Sequence, residues 1–385
     1  VRRVAGWAAA AVAVAVLATV VAWVTLRDRD TTATAPGDLV SSSGMPLAAT
    51  PSGHMFGAKV TYRSTTGDGD PTVVSGTVFM PAGPPPTGGW PVIAVGHPTT
   101  GIDENCAPSR SDTLRGLRDL VTGLVDRGYA VALTDFSGLG TPGPHRYLDH
   151  RTAGRELIDS VRALRHVFPA ASARWAALGA SQGGGAAWSA AEQADSYGRG
   201  LDLVGAAVVA PAADVSGLVD KAEAGTLTID QNRFLATVIE SLARLDPDLD
   251  RDDYRRGAVA RHWDVLTACR GDVEDRRPQA EAEIRPGDLA PADPQAARRL
   301  RDHLAASAVP REPLAAPLFV TFGGRDASID AQWTAGAVAR ACELGGQVES
   351  LPQPDADHYT IGYDAALAWL ADRFAGAPAD SVCVR

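Results

Sequence analysis

The stretch Trp175-Ala-Ala-Leu-Gly179-Ala-Ser181-Gln-Gly183-Gly-Gly185 decides the fold. Trp175–Ala180 is short and apolar, as a strand buried on both faces should be. Gly183, Gly184, Gly185, Ala186 and Ala187 then open a helix of very small residues. Between them Gly179-Ala-Ser181-Gln-Gly183 satisfies G-x-S-x-G. Small neighbours permit a strained strand-to-helix turn that projects the serine oxygen, and the helix amino terminus favours negative charge developing nearby.

Working outward, the same strand signal recurs at Trp90–Gly96, Tyr129–Asp135, Leu203–Ala210 and Leu318–Gly323. Ala58–Ser64 and Thr72–Met80 alternate in hydrophobicity, like an antiparallel pair at a sheet edge. Helical patterns lie between the strands. Leu157, Ile158, Val161, Leu164 and Phe168 share one face before Pro169, and Trp333–Leu344 and Asp364–Phe374 follow later. Strand–helix alternation predicts an α/β fold with a mostly parallel sheet flanked by helices.

The alternation stops between about Asp214 and Pro313, where Phe234, Leu235, Val238, Ile239, Leu242 and Leu245 form an apolar stripe. A segment this long and patterned reads as an inserted helical cap. The expected organisation is therefore core at 54–213 and 314–385, with the cap or lid at 214–313. The cap's apolar stripe suggests an acyl-binding pocket. Its Asp246–Asp253 run lacks the glycine and terminal glutamate of a calcium loop, so it reads as solvated.

Arg2 and Arg3 precede an uncharged run from Val4 to Leu26. As a helix it would span about 34 Å, enough for a bilayer core. Residues 1–30 therefore read as a membrane anchor, or as a signal cleaved after a site such as Val20-Val21-Ala22. Either exports the chain, to the cell envelope or beyond, and the anchor reading makes residues 4–26 a membrane tether. Residues 31–53, rich in Thr, Ser, Pro and Gly, read as a flexible linker.

The net charge of −10, from 36 basic and 46 acidic residues, argues against a nucleic-acid partner. Export suits disulfides. Cys106, Cys269, Cys342 and Cys383 allow three pairings, among which sequence does not select. Cys342–Cys383, stapling the carboxyl-terminal tail, with Cys106–Cys269 is the pairing favoured here.

A serine hydroxyl needs a base to become a nucleophile. In α/β-hydrolases the chain order is Ser, then acid, then His. His262 and His303 fall inside the cap, whereas His358 stands just before the final helix. Asp326 is the first carboxylate beyond the strand Leu318–Gly323, with Asp330 its nearest competitor. An oxyanion hole would draw on the Gln182 N–H and on the loop after Trp90–Gly96. Pro98 has no N–H, which leaves Thr99 or Thr100, while His97 reads as a support for that loop.

Three motifs together, His97-Pro-Thr-Thr-Gly-Ile-Asp-Glu-Asn-Cys106-Ala-Pro-Ser109, Asp135-Phe-Ser-Gly-Leu-Gly-Thr-Pro-Gly-Pro-His145 and Gly179–Gly185, resemble the secretory lipase family typified by fungal lipase A. The similarity runs from about Gly53 to the carboxyl terminus and departs at Pro98, where many relatives have glycine. It implies an α/β-hydrolase fold, lipase or carboxylesterase activity on lipid or other esters, no cofactor, and Ser181, Asp326 and His358 as the catalytic triad. It also supports the favoured cysteine pairing. Acyl transfer through the same acyl-enzyme is the neighbouring alternative, and an inactive envelope-tethered binding protein is the alternative of another class.

Overall fold

The computed structural model describes residues 35–50 and 53–383. Nine strands form one sheet: β1 (Leu39–Thr50), β2 (Gly53–Thr65), β3 (Pro71–Pro81), β4 (Trp90–Gly96), β5 (Ala130–Thr134), β6 (Ala171–Ala180), β7 (Asp202–Val209), β8 (Leu318–Gly323) and β9 (Val348–Gln353). Their order is β1-β2-β3-β5-β4-β6-β7-β8-β9. The first three strands and β5 pair antiparallel, and the remainder run parallel. All five residues of β5 and all six of β8 are buried, which is why they read as unbroken apolar runs.

Helices cover both faces. On one side lie α1 (Arg118–Asp126) and, late in the chain, α11 (Asp364–Phe374). Val121, Leu124, Trp369 and Leu370 there pack on Ile93, Leu133, Leu178 and Phe319. On the other lie α2 (His150–Val167), α3 (Gln182–Tyr197) and α10 (Ala331–Glu343). The α2 face of Leu157, Ile158, Val161 and Leu164 meets Trp175, Trp188 and Val208, and Asp149 caps the helix by accepting from Thr152 N–H. Each such fully buried side chain contributes roughly 1.5–3 kcal/mol.

Between β7 and β8 stand α4 (Leu218–Ala224), α5 (Ile229–Leu245), α6 (Gly257–Arg261), α7 (Trp263–Thr267), α8 (Arg277–Glu283) and α9 (Pro294–Ser307). They form the helical cap of an α/β-hydrolase fold and have a core of their own, with Leu235, Val238, Ile239, Val219 and Leu300. A capping box of Thr228 and Gln231 starts α5. Glu240 ties the cap together, accepting from Arg244 Nε, Arg251 Nε and Trp263 Nε1, and these donors pull its carboxyl down to about 2.

Three differences from the sequence reading emerge. Residues 39–50, read as part of a linker, form β1, an edge strand registered against β2 from Leu39↔Tyr62 to Thr50↔Gly53. Their Ser-rich composition disguises an edge strand whose Leu39, Met45 and Ala48 are only partly buried against the core. β9 is the opposite edge strand and carries Pro352, which edge positions tolerate. The membrane tether is a correction: no helix among the described residues is long and apolar enough to cross a membrane. Residues 4–26, to which the sequence reading assigns it, lie outside the described residues.

Candidate active site

Ser181 sits between β6 and α3 with φ +53° and ψ −118°, a conformation that costs a non-glycine residue free energy. Its N–H donates to Val209 O at 3.0 Å, and its carbonyl accepts from Gly184 N–H and Ala212 N–H. The flanking glycines are steric necessities. A Cβ on Gly179 would lie 1.9 Å from Gly183 O, and one on Gly183 would lie 2.0 Å from Gly96 O. Only bare backbone lets β4, β6 and α3 approach this closely.

His358 reaches the serine from the loop between β9 and α11. Its Nε2 lies 3.1 Å from Ser181 Oγ, and its Nδ1 lies 2.7 Å from Asp326 Oδ2. An ionised carboxylate can only accept, so the His358 proton belongs on Nδ1 and the Nε2 lone pair receives the serine O–H. Asp326 follows β8 and its side chain is almost fully buried. Its Oδ1 accepts the N–H groups of Ser328 and Ile329, both at 2.8 Å. Gly323 and Gly324 let the two loops meet, since a Cβ on either would strike the carbonyls of Ala356 or Pro354. Asp357 tightens the turn beside the histidine by accepting from the N–H groups of Tyr359 and Thr360.

The loop after β4 brings Pro98, Thr99 and Thr100 to the cavity that holds Ser181. Thr99 Oγ1 lies 2.6 Å from Tyr147 Oη, and Thr100 O accepts from Arg270 N–H at 2.8 Å. Buried His97 braces this loop, its ring nitrogens facing Pro98 O at 2.7 Å and Asp135 O at 3.1 Å. Burial lowers the His97 imidazole and raises the Asp135 carboxyl, each toward its neutral form. Asp135 accepts from Ser75 Oγ and from Ser109 N–H and Oγ, which locks the following loop to β3.

Gln182 starts α3, so its N–H precedes the first intrahelical bond. Its side chain is buried, with Nε2 donating to His145 Nε2 at 2.7 Å. Burial drives His145 down to about 3, so the ring is neutral; Nδ1–H donates to Ser137 O and Nε2 is free to accept. His145 and Tyr147 escaped the sequence reading as site supports. His145 nevertheless ends the second of the three motifs quoted above.

Disulfides join Cys106 to Cys269 and Cys342 to Cys383. Asp103, Cys106 and Cys269 are the one cluster of metal-ligand types among the described residues, and both sulfurs are committed to the disulfide.

A cavity of about 550 Å³ opens above Ser181 and His358, within the range of small-ligand sites. Its cap side departs from the apolar expectation. The α5 stripe Leu235, Val238 and Ile239 packs inside the cap, while Asp230, Arg233, Phe234 and Thr237 of the same helix line the cavity. Arg270, Glu274 and Arg277 line it as well. The spacing 230, 233, 234, 237 is one helical face, legible in the sequence only to a reader who knew which way the apolar stripe pointed.

Residues 115–265 match the family model described as secretory lipase. No curated protein sequence matches the chain. Among solved structures, Candida antarctica lipase A in its closed state is 19% identical with a TM-score of 0.71, over 91% of this chain and 84% of that one. The rice cell wall degrading esterase LipA of Xanthomonas oryzae is 19% identical with a TM-score of 0.66, over 89% of this chain and 97% of that one. At these identities the two structures speak for the fold. Over residues 115–265 the chain is similar to the secretory lipases.

Proposed function

We propose that the protein hydrolyses carboxylic esters, as a lipase or carboxylesterase, through Ser181, His358 and Asp326. Ser181 Oγ attacks the ester carbonyl while His358 Nε2 takes its proton, and the resulting imidazolium is stabilised by Asp326. The N–H of Gln182 and that of Thr99 or Thr100 receive the oxyanion. His358 then protonates the departing alcohol and activates water, which releases the acid and restores the serine. In this reading residues 54–213 and 314–385 supply the machinery, and residues 214–313 cover it.

The observation that carries the reading is the continuous hydrogen-bonded line from Asp326 Oδ2 through His358 to Ser181 Oγ, 2.7 and 3.1 Å, at a residue with positive φ. The test is hydrolysis of 4-nitrophenyl acetate, butyrate and octanoate by the protein and by Ser181→Ala. Turnover that the substitution lowers at least about 10³-fold is the expected result. A folded protein without serine-dependent turnover on any of the three overturns the proposal.

A further inference from the structure

The cap side of the cavity carries more cationic chemistry than ester hydrolysis needs. Arg277 is 6% exposed. Its Nη2 donates to Cys269 O at 3.2 Å and to Asp272 O at 3.1 Å, so the guanidinium is held in place. The nearest carboxylate, Glu274, stands 3.7 Å from Nε, beyond a hydrogen bond, and keeps most of its own side chain in solvent. Burial works against the Arg277 charge, yet a guanidinium stays protonated in proteins. A buried cation so weakly paired is costly unless something else neutralises it.

Arg270 lines the same cavity and follows Cys269, whose carbonyl Arg277 holds. Its backbone is anchored by the N–H bond to Thr100 O, while its side chain makes no hydrogen bond or ion pair among the described residues. Of the carboxylates nearby, Glu274 accepts from Gly271 N–H at 3.0 Å, and the other two face Arg233. Arg233 Nη1 stands 3.4 Å from Glu281 and Nη2 3.8 Å from Asp230, with Nη2 also donating to Tyr359 Oη at 3.1 Å. Arg233 thus answers the acids of its own helix and of α8, and Arg270 is left over.

Resting on the ester-hydrolase reading, we propose that this cavity selects esters that carry an anionic oxygen group, a carboxylate or a phosphate, and that Arg270 and Arg277 receive it. Guanidinium groups bind such oxyanions through charge-assisted hydrogen bonds, which are roughly twice as strong as neutral ones. Thr237 and Phe234 line the same cavity.

The test compares each anionic ester with a neutral partner. For an anion on the acyl half, 4-nitrophenyl hydrogen glutarate is set against 4-nitrophenyl methyl glutarate. For an anion on the alcohol half, 1-butyrylglycerol 3-phosphate is set against 1-butyrylglycerol. A preference in kcat/KM of about tenfold or more for the anionic member of at least one pair is expected, matching one charge-assisted contact. That preference should collapse toward one in Arg270→Ala, whose side chain supports nothing else, and in Arg277→Gln where it folds. Ser181-dependent turnover of the neutral esters with no anionic preference in either pair overturns this inference and leaves the hydrolase reading standing. A preference that survives both substitutions overturns the assignment to these arginines. Absence of Ser181-dependent turnover on all four esters overturns both.

Discussion

The backbone N–H of Arg270, in the cap, donates at 2.8 Å to the carbonyl of Thr100, in the loop that leaves β4. Next door, Cys269 is bonded to Cys106, and Gly101 is wedged between them with φ +126°. A Cβ on Gly101 would lie 2.4 Å from Cys106 Sγ and 2.9 Å from Cys269 Cα. Cap and the loop after β4 are therefore one mechanical unit joined by a covalent bond.

Removing that bond should cost activity as well as stability. Cys106→Ala with Cys269→Ala should lose roughly 2–5 kcal/mol of stability and about tenfold in kcat on 4-nitrophenyl butyrate. Removing Cys342 and Cys383, which staple the carboxyl-terminal tail to α10, should lower stability and leave kcat near its starting value. Thermal unfolding and steady-state kinetics on both double variants check this; equal kcat losses would count against it.

Gly183 and Gly336 should respond oppositely to alanine. At Gly183 the new Cβ meets backbone that cannot withdraw, 2.0 Å from Gly96 O and 2.7 Å from His97 O. At Gly336, inside α10, it meets only Arg340 Nη1 at 3.6 Å. Gly183→Ala should cost about 3 kcal/mol or more, or yield no soluble protein. Gly336→Ala should add about 0.5–1 kcal/mol. Denaturant midpoints measure both.

Glu156 is buried, with Oε2 accepting from Ser137 N–H and Oε1 unpartnered. Burial raises its carboxyl to about 8. The folded state thus holds a proton that the unfolded chain releases near pH 4.5. Glu156 therefore costs nothing below about pH 4 and takes away stability progressively as pH rises toward 8. Glu156→Gln should leave stability nearly unchanged at pH 4 and raise it by roughly 1–4 kcal/mol at pH 8. Urea titrations at the two pH values test the sign.

How much of this was legible in the sequence depends on how local the signal is. Ser181, Asp326 and His358 each follow a buried apolar strand or precede a helix, so chain order and spacing single them out as candidates, and the structure brings the three side chains together. Gly179 and Gly183 likewise stand where bare backbone is required. Edge strands were harder, because β1 and β9 bury little and show no strong alternation. The cavity wall was hardest. Arg233, Arg270 and Arg277 lie on separate segments, and only the packing of Leu235 and Ile239 into the cap core turns Asp230, Arg233 and Thr237 toward the serine. An apolar stripe identifies a buried face without saying what it is buried against.

Asp326→Asn retains an oxygen for the Ser328 and Ile329 N–H groups but offers no carboxylate to His358 Nδ1. Stability should change little, while kcat falls by roughly 10³–10⁴ through the wrong tautomer and an unstabilised imidazolium. Comparable losses in stability and kcat would assign Asp326 a structural role instead.

The most direct measurement is covalent labelling by an alkyl fluorophosphonate, read by peptide mass spectrometry. An activated serine is phosphonylated with loss of fluoride. The account predicts a single adduct on Ser181 that disappears in His358→Ala while that variant remains folded. No adduct, or one on another residue of the folded protein, would contradict it.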